Sequence, residues 1–206
     1  MTIDFTLVDK TVGLYGKRGS GKTVMARQLI LDEKHIFKNN IWLFCPTELV
    51  NHSYSDIIPA NHIFDSFSDA WGKKLIDKLS HTPKEELRPI LLVFDDCGSE
   101  KDWSSSKEYV KFHTRGRHLR ISVLSCQQYL CQTPKICRAN LDFVLASQQP
   151  SQSVDILTDE YSNIKNEEFR NLYKKATIDY GFFLINNTAT KNDELNSIYG
   201  IMRATV

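Results

Sequence analysis

The sequence predicts an α/β fold in which a mostly parallel central sheet is flanked by helices. Short apolar runs alternate with amphipathic segments along the 206-residue chain, as in proteins whose parallel strands are joined by helices. Two of these runs, 90–95 and 120–126, are apolar almost throughout, which is typical of strands covered on both faces. A glycine-rich octet, GKRGSGKT at 16–23, joins the first apolar run to a helix-forming segment. We expect residues 1–206 to form a single domain.

The predicted elements follow from hydrophobic periodicity along the chain. Strands are predicted at 11–15, 41–46, 90–95, 120–126, 141–146 and 181–186, with a short additional strand at 62–64. Helices are predicted at 22–34, 67–80, 104–115, 151–161 and 166–176. The stretches 47–61 and 97–106 are predicted to be loops. The closing segment SIYGIMRAT is predicted to pair antiparallel with strand 181–186 at an edge of the sheet.

Composition limits the classes of partner. The net charge is +1 and the pI is about 7.6, so contact with nucleic acid has to come from a local basic patch rather than from overall charge. The five cysteines include no C-x-x-C pair, which favours free thiols in a reducing compartment over a disulfide framework or a zinc site. The sequence begins with no signal-peptide pattern and contains no apolar run long enough to cross a bilayer, so we expect no membrane partner.

The octet at 16–23 matches the phosphate-binding pattern G-x-x-x-x-G-K-[ST]. Its glycines allow a tight turn whose backbone N–H groups point at anionic oxygens, and the following helix adds its positive N-terminal end. Lys22 is predicted to reach the β- and γ-phosphates, and Thr23 to offer its hydroxyl to Mg²⁺. Lys17 and Arg18 either add positive potential at the phosphates or remain solvated loop charges. The predicted nucleotide-binding residues are Gly16, Lys17, Arg18, Gly19, Ser20, Gly21, Lys22, Thr23 and Val24.

Two carboxylates, Asp95 and Asp96, end the apolar run at 91–94. Ligands of open α/β sheets lie beyond the carboxyl ends of the strands, so both carboxylates are predicted to lie beside the octet. Asp95 suits Mg²⁺, bound directly or through water. Asp96 can take a proton from, or orient, the water that attacks the γ-phosphate. A switch protein needs only the first carboxylate, so the pair favours a hydrolase.

The helix that follows this acidic pair is predicted from its ends. Ser105 and Glu108 match the capping-box pattern S-x-x-E at a helix start, and Gly116 is well suited to end the helix. Lys107 and Lys111 lie on one face of this helix. That face either contacts a phosphate backbone or is simply solvated.

Arg117 lies in the short connection between this helix and strand 120–126. A rigid connection can project a guanidinium sideways from the domain. Its planar, permanently charged fork then suits the γ-phosphoryl oxygens in a neighbouring subunit. Arg115 and Arg120 are alternatives for this role. Arg138 is a further alternative, although a structural salt bridge is the favoured interpretation there.

Two glutamines, Gln127 and Gln128, follow strand 120–126. A neutral amide at a strand tip can sense the γ-phosphate and hold the attacking water without adding charge. Gln127 comes directly after the strand, and we predict it to be this sensor.

Two other classes of protein carry the same octet. A GTPase-like switch is suggested by Asp95-x-x-Gly98, which matches D-x-x-G, and by TKND at 190–193, which matches the guanine-reading pattern [NT]-K-x-D. Against it, about forty residues with a helix separate strands 41–46 and 90–95, where a small GTPase has a tight hairpin. The other class is a nucleotide kinase. It usually adds an arginine-rich lid, and the paired carboxylates are then less expected.

The order of the motifs along the chain resembles that of the DNA-packaging ATPases of poxviruses and other large double-stranded DNA viruses. The motifs are GKRGSGKT, HIFKNNIWLFCPTE, LLVFDDCGS, GRHLRISVLSCQQ and CRANLDF. That family is part of the FtsK/HerA-like branch of P-loop motors and has relatives in virophages. The resemblance extends from about residue 11 to residue 147.

The resemblance implies a RecA-like P-loop NTPase fold with an additional strand. It implies a homo-oligomeric ring, a pentamer or hexamer, that uses ATP and Mg²⁺ to push double-stranded DNA into a preformed capsid, with ATPase activity stimulated by DNA. It further implies contact with capsid vertex proteins, and a location in the cytoplasmic virus factory or nucleus of an infected cell or at the virion. The chain departs from the family in one respect, because the sequence shows no obvious added DNA-binding domain. We therefore expect the DNA contacts on pore loops of this same domain, with the loop at 97–106 as one candidate.

The resemblance also implies individual roles. Thr23 and Asp95 hold the metal. The implied catalytic residues are Lys22 at the phosphates, Asp96 as the base, Arg117 as the arginine finger and Gln127 as the sensor.

Overall fold

An eight-stranded sheet runs through the computed structural model, which describes residues 3–97, 105–190 and 193–204. The strands are β1 (Thr11–Tyr15), β2 (Ile41–Phe44), β3 (Ile63–Phe64), β4 (Ile90–Asp95), β5 (Ile121–Gln127), β6 (Phe143–Ala146), β7 (Phe182–Asn186) and β8 (Tyr199–Met202). Their order across the sheet is β3-β2-β4-β5-β1-β6-β7-β8. All seven predicted strands are present, and the closing segment supplies the eighth.

The strands from β3 to β6 are parallel, whereas β7 pairs antiparallel with β6 and β8 antiparallel with β7. Strand β5 lies between β1 and β4. This inserted strand is the feature of the RecA-like arrangement with an additional strand, so the predicted fold class is confirmed. The antiparallel edge predicted from the closing segment is confirmed as well.

Eight α-helices connect the strands within the described residues. They are α1 (Lys22–Phe37), α2 (Glu48–Asn51), α3 (Asp69–Ser80), α4 (Lys107–Arg115), α5 (Lys135–Arg138), α6 (Ser151–Tyr161), α7 (Asn166–Ala176) and α8 (Leu195–Ile198). The five predicted helices correspond to α1, α3, α4, α6 and α7. The three others are four residues long, too short for a helical period to be recognised. No helix among the described residues is long and apolar enough to cross a membrane.

Helices cover both faces of the sheet, which explains why the central strands are apolar throughout. In β4, Leu91 and Val93 belong to a buried cluster with the inner face of α1. Leu92 and Phe94 alternate with them and pack on the other face, in a cluster that includes Phe112 of α4. Helices α6 and α7 cover one face of β6, β7 and β8.

The start of α4 differs from the prediction by one residue. Ser106, not Ser105, is the N-cap, and its hydroxyl accepts a hydrogen bond of 3.1 Å from the Tyr109 amide. Glu108 does not close a capping box with Ser105. It is buried and forms an ion pair of 2.7 Å with Lys111, so Lys111 is not a free cation on that helix face.

Gly116 follows α4 as predicted, but for a different reason. Its φ is −54°, so it is right-handed and leads into a 3-10 turn at Gly116–Leu119. The left-handed residue is Arg120, with φ of 60°. A side chain at 116 would be crowded, because a Cβ there would lie 3.2 Å from the carbonyl oxygen of Ile121.

The aromatic cluster beneath α4 is predicted to dominate stability. Phe94 is fully buried, with its ring centroid 5.1 Å from that of Phe44 and 4.9 Å from that of Tyr109. Phe94→Ala is expected to lower the free energy of unfolding by about 3–5 kcal/mol, measured by urea denaturation. The control Val50→Ala, at a side chain that is 80% exposed, is expected to change it by less than about 0.5 kcal/mol. Equal losses in both variants would contradict this assignment of the core.

Candidate nucleotide site

The parallel strands bring the predicted site residues to one edge of the sheet. The octet at 16–23, called the P-loop from here on, follows β1, Asp95 ends β4, and Gln127 ends β5. The register places Asp95 opposite Cys126 of β5, and Tyr15 opposite Gln127. The acidic pair therefore lies near the P-loop, as predicted, although a whole strand separates β4 from β1.

The P-loop has the backbone that its glycines predict. Gly19 and Gly21 have φ of 75° and 85°, a region that other residues rarely adopt. Gly16 is needed for close approach, because a Cβ there would lie 2.2 Å from the Ser20 hydroxyl. The Lys22 ammonium donates a 2.6 Å hydrogen bond to the Gly16 carbonyl, so the side chain lies across the mouth of the loop.

A polar cavity of about 380 Å³ opens between the P-loop and the end of β4. We call it the acidic cleft. Its lining includes Arg18, Lys22, Thr23, Tyr54, Asp95, Asp96 and Gln128. The structure thus brings together four of the predicted metal and catalytic residues, Lys22, Thr23, Asp95 and Asp96.

The two loop cations whose role the sequence left open are separated by the structure. Arg18 lines the acidic cleft, where it adds positive potential beside the carboxylates. Lys17 faces a different cavity, shared with Ser147 and Gln148 after β6.

Asp95 is the most constrained group in the acidic cleft. It is only 5% exposed, and its Oδ2 accepts a 2.7 Å hydrogen bond from the Tyr54 hydroxyl. Burial raises the pKa of this carboxyl to about 6, and the Tyr54 hydrogen bond opposes that rise. A divalent cation beside such a group would restore the charge that burial disfavours.

The donor set of the acidic cleft fits Mg²⁺. Magnesium is usually bound through one or two carboxylates together with substrate phosphates, rather than by a cage of protein ligands. Asp95 would supply such a carboxylate, and the Thr23 hydroxyl lines the same cavity. The described residues contain no cluster of three or more His, Cys, Asp or Glu side chains that could hold a metal alone.

Asp96 occupies a left-handed turn directly after β4, with φ of 54°. Non-glycine residues in this region are uncommon and are concentrated at functional sites, although aspartate tolerates it better than most. The Asp96 Oδ1 accepts a 3.3 Å hydrogen bond from the Gln128 amide. Asp96 is only half-buried, which leaves the carboxylate access to the cleft.

The structure places Gln128, rather than the predicted Gln127, in the acidic cleft. Gln127 is 1% exposed, and both polar atoms of its amide lack a hydrogen-bond partner among the described residues. Side chains alternate along a strand, and Ser125 contacts Tyr109 of α4, so Gln127 points to that same covered face. Alternation places Gln128 on the opposite face, that of Cys126, which is paired with Asp95. Both faces of β5 are covered, so this choice of face comes from the structure rather than from the sequence.

Tyr54 is a site residue that sequence analysis missed, because it lies in a segment without hydrophobic periodicity. The segment is nevertheless ordered by charged side chains. The buried Glu48 carboxylate accepts hydrogen bonds from the backbone amides of Ser53 and Tyr54, at 2.9 and 2.7 Å. Arg27 of α1 forms a two-pronged ion pair with Asp56, at 2.6 and 2.7 Å. These contacts hold the Tyr54 hydroxyl against Asp95.

Arg117 lies at the opposite edge of the sheet from the acidic cleft. Its 3-10 turn precedes β5, whose seven residues span roughly 20 Å. The guanidinium is about half exposed and lies 3.8 Å from the Asp142 carboxylate. At that separation Arg117 cannot reach the acidic cleft of its own chain.

The alternative arginines differ in their freedom. Arg138 is buried, forms a two-pronged ion pair with Glu160 at 2.7 Å, and donates to the Thr133 carbonyl, so its interpretation as a structural salt bridge is confirmed. Arg120 is paired with Asp9.

The guanine-reading segment of the GTPase alternative lies in the wrong place. Because β7 is antiparallel to β6, the residues after β7 lie at the edge of the sheet away from the P-loop. The Thr190 amide donates a 2.6 Å hydrogen bond to the Asp193 carboxylate. Lys191 and Asn192 lie outside the described residues, as do Gly98 and most of the predicted loop at 97–106.

The chain is similar to known viral proteins along most of its length. A family model described as Poxvirus A32 protein matches residues 5–194. An uncharacterized protein of Invertebrate iridescent virus 6 is 27% identical over 194 residues, which cover 92% of this chain and 75% of that protein. An uncharacterized protein of Acanthamoeba polyphaga mimivirus is 28% identical over 158 residues, which cover 71% of this chain and 55% of that protein.

Solved structures share the fold at low sequence identity. The genome packaging NTPase B204 of Sulfolobus turreted icosahedral virus 2, in complex with ATP-gammaS, has a TM-score of 0.66 and 14% identity, covering 96% of this chain and 98% of that chain. The monomer form of the pCW3 conjugation coupling protein TcpA has a TM-score of 0.57 and 13% identity, covering 85% of this chain and 57% of that chain. At these identities the likeness establishes the fold alone, which is that of P-loop NTPases.

The buried Asp95 carboxylate is predicted to make the nucleotide-free protein less stable at high pH. Its pKa rises from 3.8 to about 6 on folding, so the folded chain holds this proton more tightly than the unfolded chain. The stabilisation that comes from this tighter proton binding is complete below pH 3.8 and is lost as the pH rises through about 6. Asp95→Asn removes the ionisation. The free energy of unfolding of this variant is expected to exceed that of the parent by about 3 kcal/mol at pH 8 and to differ little from it near pH 4.

Tyr54→Phe is the matched variant in the same urea titrations. It removes the hydroxyl that donates to the buried carboxylate, so it is expected to destabilise the protein by about 2 kcal/mol at pH 8 and by less near pH 4. The two variants should therefore shift stability in opposite directions at pH 8. A loss of stability in Asp95→Asn at that pH would contradict the burial argument.

Proposed function

Because this chain belongs to the poxvirus A32 protein family, we propose that it is an ATP-hydrolysing motor that translocates double-stranded viral DNA into a preformed capsid. The observation that carries the proposal is the acidic cleft, in which Lys22 and Thr23 of the P-loop face Asp95 and Asp96. These are the groups that phosphoryl transfer to water requires at one place. A fold shared with a genome packaging NTPase adds support.

In the proposed reaction the P-loop amides and Lys22 bind the β- and γ-phosphates. Thr23 and Asp95 would hold Mg²⁺, which would supply positive charge to neutralise these phosphates. Asp96 accepts a proton from a water molecule as the water oxygen attacks the γ-phosphorus. The bond from the γ-phosphorus to the bridging oxygen breaks, and ADP and phosphate are released. Gln128 orients the Asp96 carboxylate through its 3.3 Å hydrogen bond, and it takes the sensor role predicted for Gln127.

Arg117 completes the site from a neighbouring copy in this proposal. The acidic cleft lies at the carboxyl edge of the parallel strands, whereas Arg117 lies at the amino edge. A head-to-tail arrangement sets the amino edge of one subunit against the cleft of the next, and such an arrangement closes into a ring when the rotation allows. A pentamer or hexamer around duplex DNA needs only a few basic side chains from each subunit, which agrees with a net charge of +1.

The proposed partners are double-stranded DNA, other copies of the chain and capsid vertex proteins. The matching relatives are viral proteins, and we propose that the motor acts in the virus factory or nucleus of an infected cell, or at the virion. The motor function is tested by measuring ATP turnover with and without duplex DNA, together with the mass of the assembly. Turnover that DNA does not stimulate would argue against translocation.

Asp96→Asn is expected to reduce ATP turnover by about 10²–10⁴-fold, because general-base catalysis contributes a factor of that size. Binding of ATP with Mg²⁺, measured by calorimetry, should be retained. Lys22→Ala should lose both binding and turnover. Asp159→Asn, at an exposed carboxylate of α6, serves as the control and should leave both unchanged. Normal turnover in Asp96→Asn would refute the assignment of the base.

Subunits that all carry Arg117→Ala are expected to lose ATP turnover, and mixing them with Asp96→Asn subunits is expected to restore part of it. Subunits carrying Arg117→Ala keep an intact cleft, and subunits carrying Asp96→Asn keep the arginine. Mixed assemblies therefore contain some interfaces with both groups, and ATP turnover should reappear there. Arg170→Ala, which removes a surface ion pair with Asp155, should leave turnover unchanged. Absence of rescue in assemblies of normal mass would exclude action from a neighbouring subunit.

A further inference from the structure

A second cavity adjoins the P-loop on the side away from β4. We call it the edge pocket. Its volume is about 610 Å³, within the range of about 300–1,000 Å³ that is usual for small-molecule sites. Thr23 and Val24 at the start of α1 form one wall, and Tyr180, Phe182 and Arg203 form the other. Lys22 and Thr23 line both the edge pocket and the acidic cleft, so the two cavities meet at the P-loop.

The antiparallel edge of the sheet creates this second wall. In a parallel strand order, the residues that precede a strand lie at the amino edge, far from the P-loop. Strand β7 is reversed, so its first residue, Phe182, lies at the carboxyl edge. Strand β8 is reversed again and pairs Met202 with Phe182. The segment before β7 and the segment after β8 therefore both meet the P-loop.

Tyr180 is presented to this pocket by a strained turn. Asp179 and Tyr180 have φ of 50° and 58°, two consecutive left-handed residues without glycine. The turn is closed by a 3.0 Å hydrogen bond from the Gly181 amide to the Ile178 carbonyl. Glycine is required at 181, because a Cβ there would lie 2.0 Å from the Ala176 carbonyl oxygen.

The turn holds a large aromatic side chain in solvent. Tyr180 is 73% exposed, and its ring lies 3.8 Å from the position that a Cβ on Gly21 would occupy. Val24, on the facing wall, is also about half exposed. Exposed apolar side chains that converge at a concave site are typical of a surface that a ligand covers.

The two cavities differ in chemistry in the way that the two ends of a nucleotide differ. The acidic cleft contains two carboxylates, a lysine and an arginine, which suit a metal ion and phosphates. The edge pocket offers an aromatic ring and aliphatic carbon, together with the Arg203 guanidinium. Aromatic rings and guanidinium planes both stack on nucleobases.

Building on the proposed function, we infer that the edge pocket is the nucleobase subsite and that Tyr180 stacks on the purine base of the bound nucleotide. Arg203 also lines this pocket, and its guanidinium lies 3.5 Å from the Asp179 carbonyl, which ties the end of β8 to the Tyr180 turn. Stacking uses the face of the base, so Tyr180 contributes affinity for the base without acting on the phosphates.

The test compares two ligands that share the phosphates but differ in the base. Binding of ATP and of inorganic triphosphate, each with Mg²⁺, is measured by calorimetry on the full chain. Tyr180→Ala should weaken ATP binding about tenfold and leave triphosphate binding within about twofold. Tyr180→Phe should bind both ligands like the parent. Ile178→Ala, at an exposed apolar residue of the same turn that does not line the pocket, is the control and should change neither.

Equal weakening of ATP and triphosphate in Tyr180→Ala would overturn the inference, because Tyr180 would then be supporting the P-loop. Unchanged ATP binding in this variant would overturn it as well, while leaving the proposed function intact. A parent chain that binds neither ligand would overturn both.

Discussion

A buried carboxylate organises this molecule around its acidic cleft. Asp95 ends β4, a strand whose six residues are all buried, and is almost inaccessible to solvent. A charge in such a place is costly unless other groups compensate for it. The Tyr54 hydroxyl does so directly, and Tyr54 is itself held by the buried carboxylate of Glu48. Arg27 connects the same segment to α1, the helix that the P-loop begins. One hydrogen bond to Asp95 thus depends on groups from three parts of the chain.

Much of the fold could be predicted, because buried strands and long amphipathic helices leave periodic signals. The runs that became β4 and β5 were recognisable for this reason. The segment that carries Tyr54 left no such signal, because its order comes from side-chain hydrogen bonds to Glu48 rather than from periodic burial. The P-loop and the acidic pair were predictable because a phosphate site demands those residue types at fixed spacing.

Two of the remaining differences between sequence and structure are shifts of one residue. Gln127 and Gln128 are the same residue type, and only the alternation of side chains along β5 decides which one enters the cleft. Ser105 and Ser106 are likewise equivalent in sequence, and the capping geometry selects Ser106. Residue type does not distinguish such neighbours. The direction of the side chain does, because it buries the amide of Gln127 and turns that of Gln128 toward the carboxylates.

Arg117 lies 3.8 Å from the Asp142 carboxylate, and the other contacts of Asp142 determine what the loss of this ion pair would cost. Asp142 is nearly buried, yet it does not depend on Arg117 for its compensation. Its Oδ2 accepts hydrogen bonds from the backbone amide and the hydroxyl of Thr11, at 2.8 and 3.0 Å, and the Lys10 ammonium is also 3.8 Å away. If the Arg117 side chain turned away, Asp142 would keep all of these contacts, so its buried charge would still be compensated. Displacement of the Arg117 guanidinium from Asp142 would therefore leave this carboxylate with its contacts to Thr11 and Lys10.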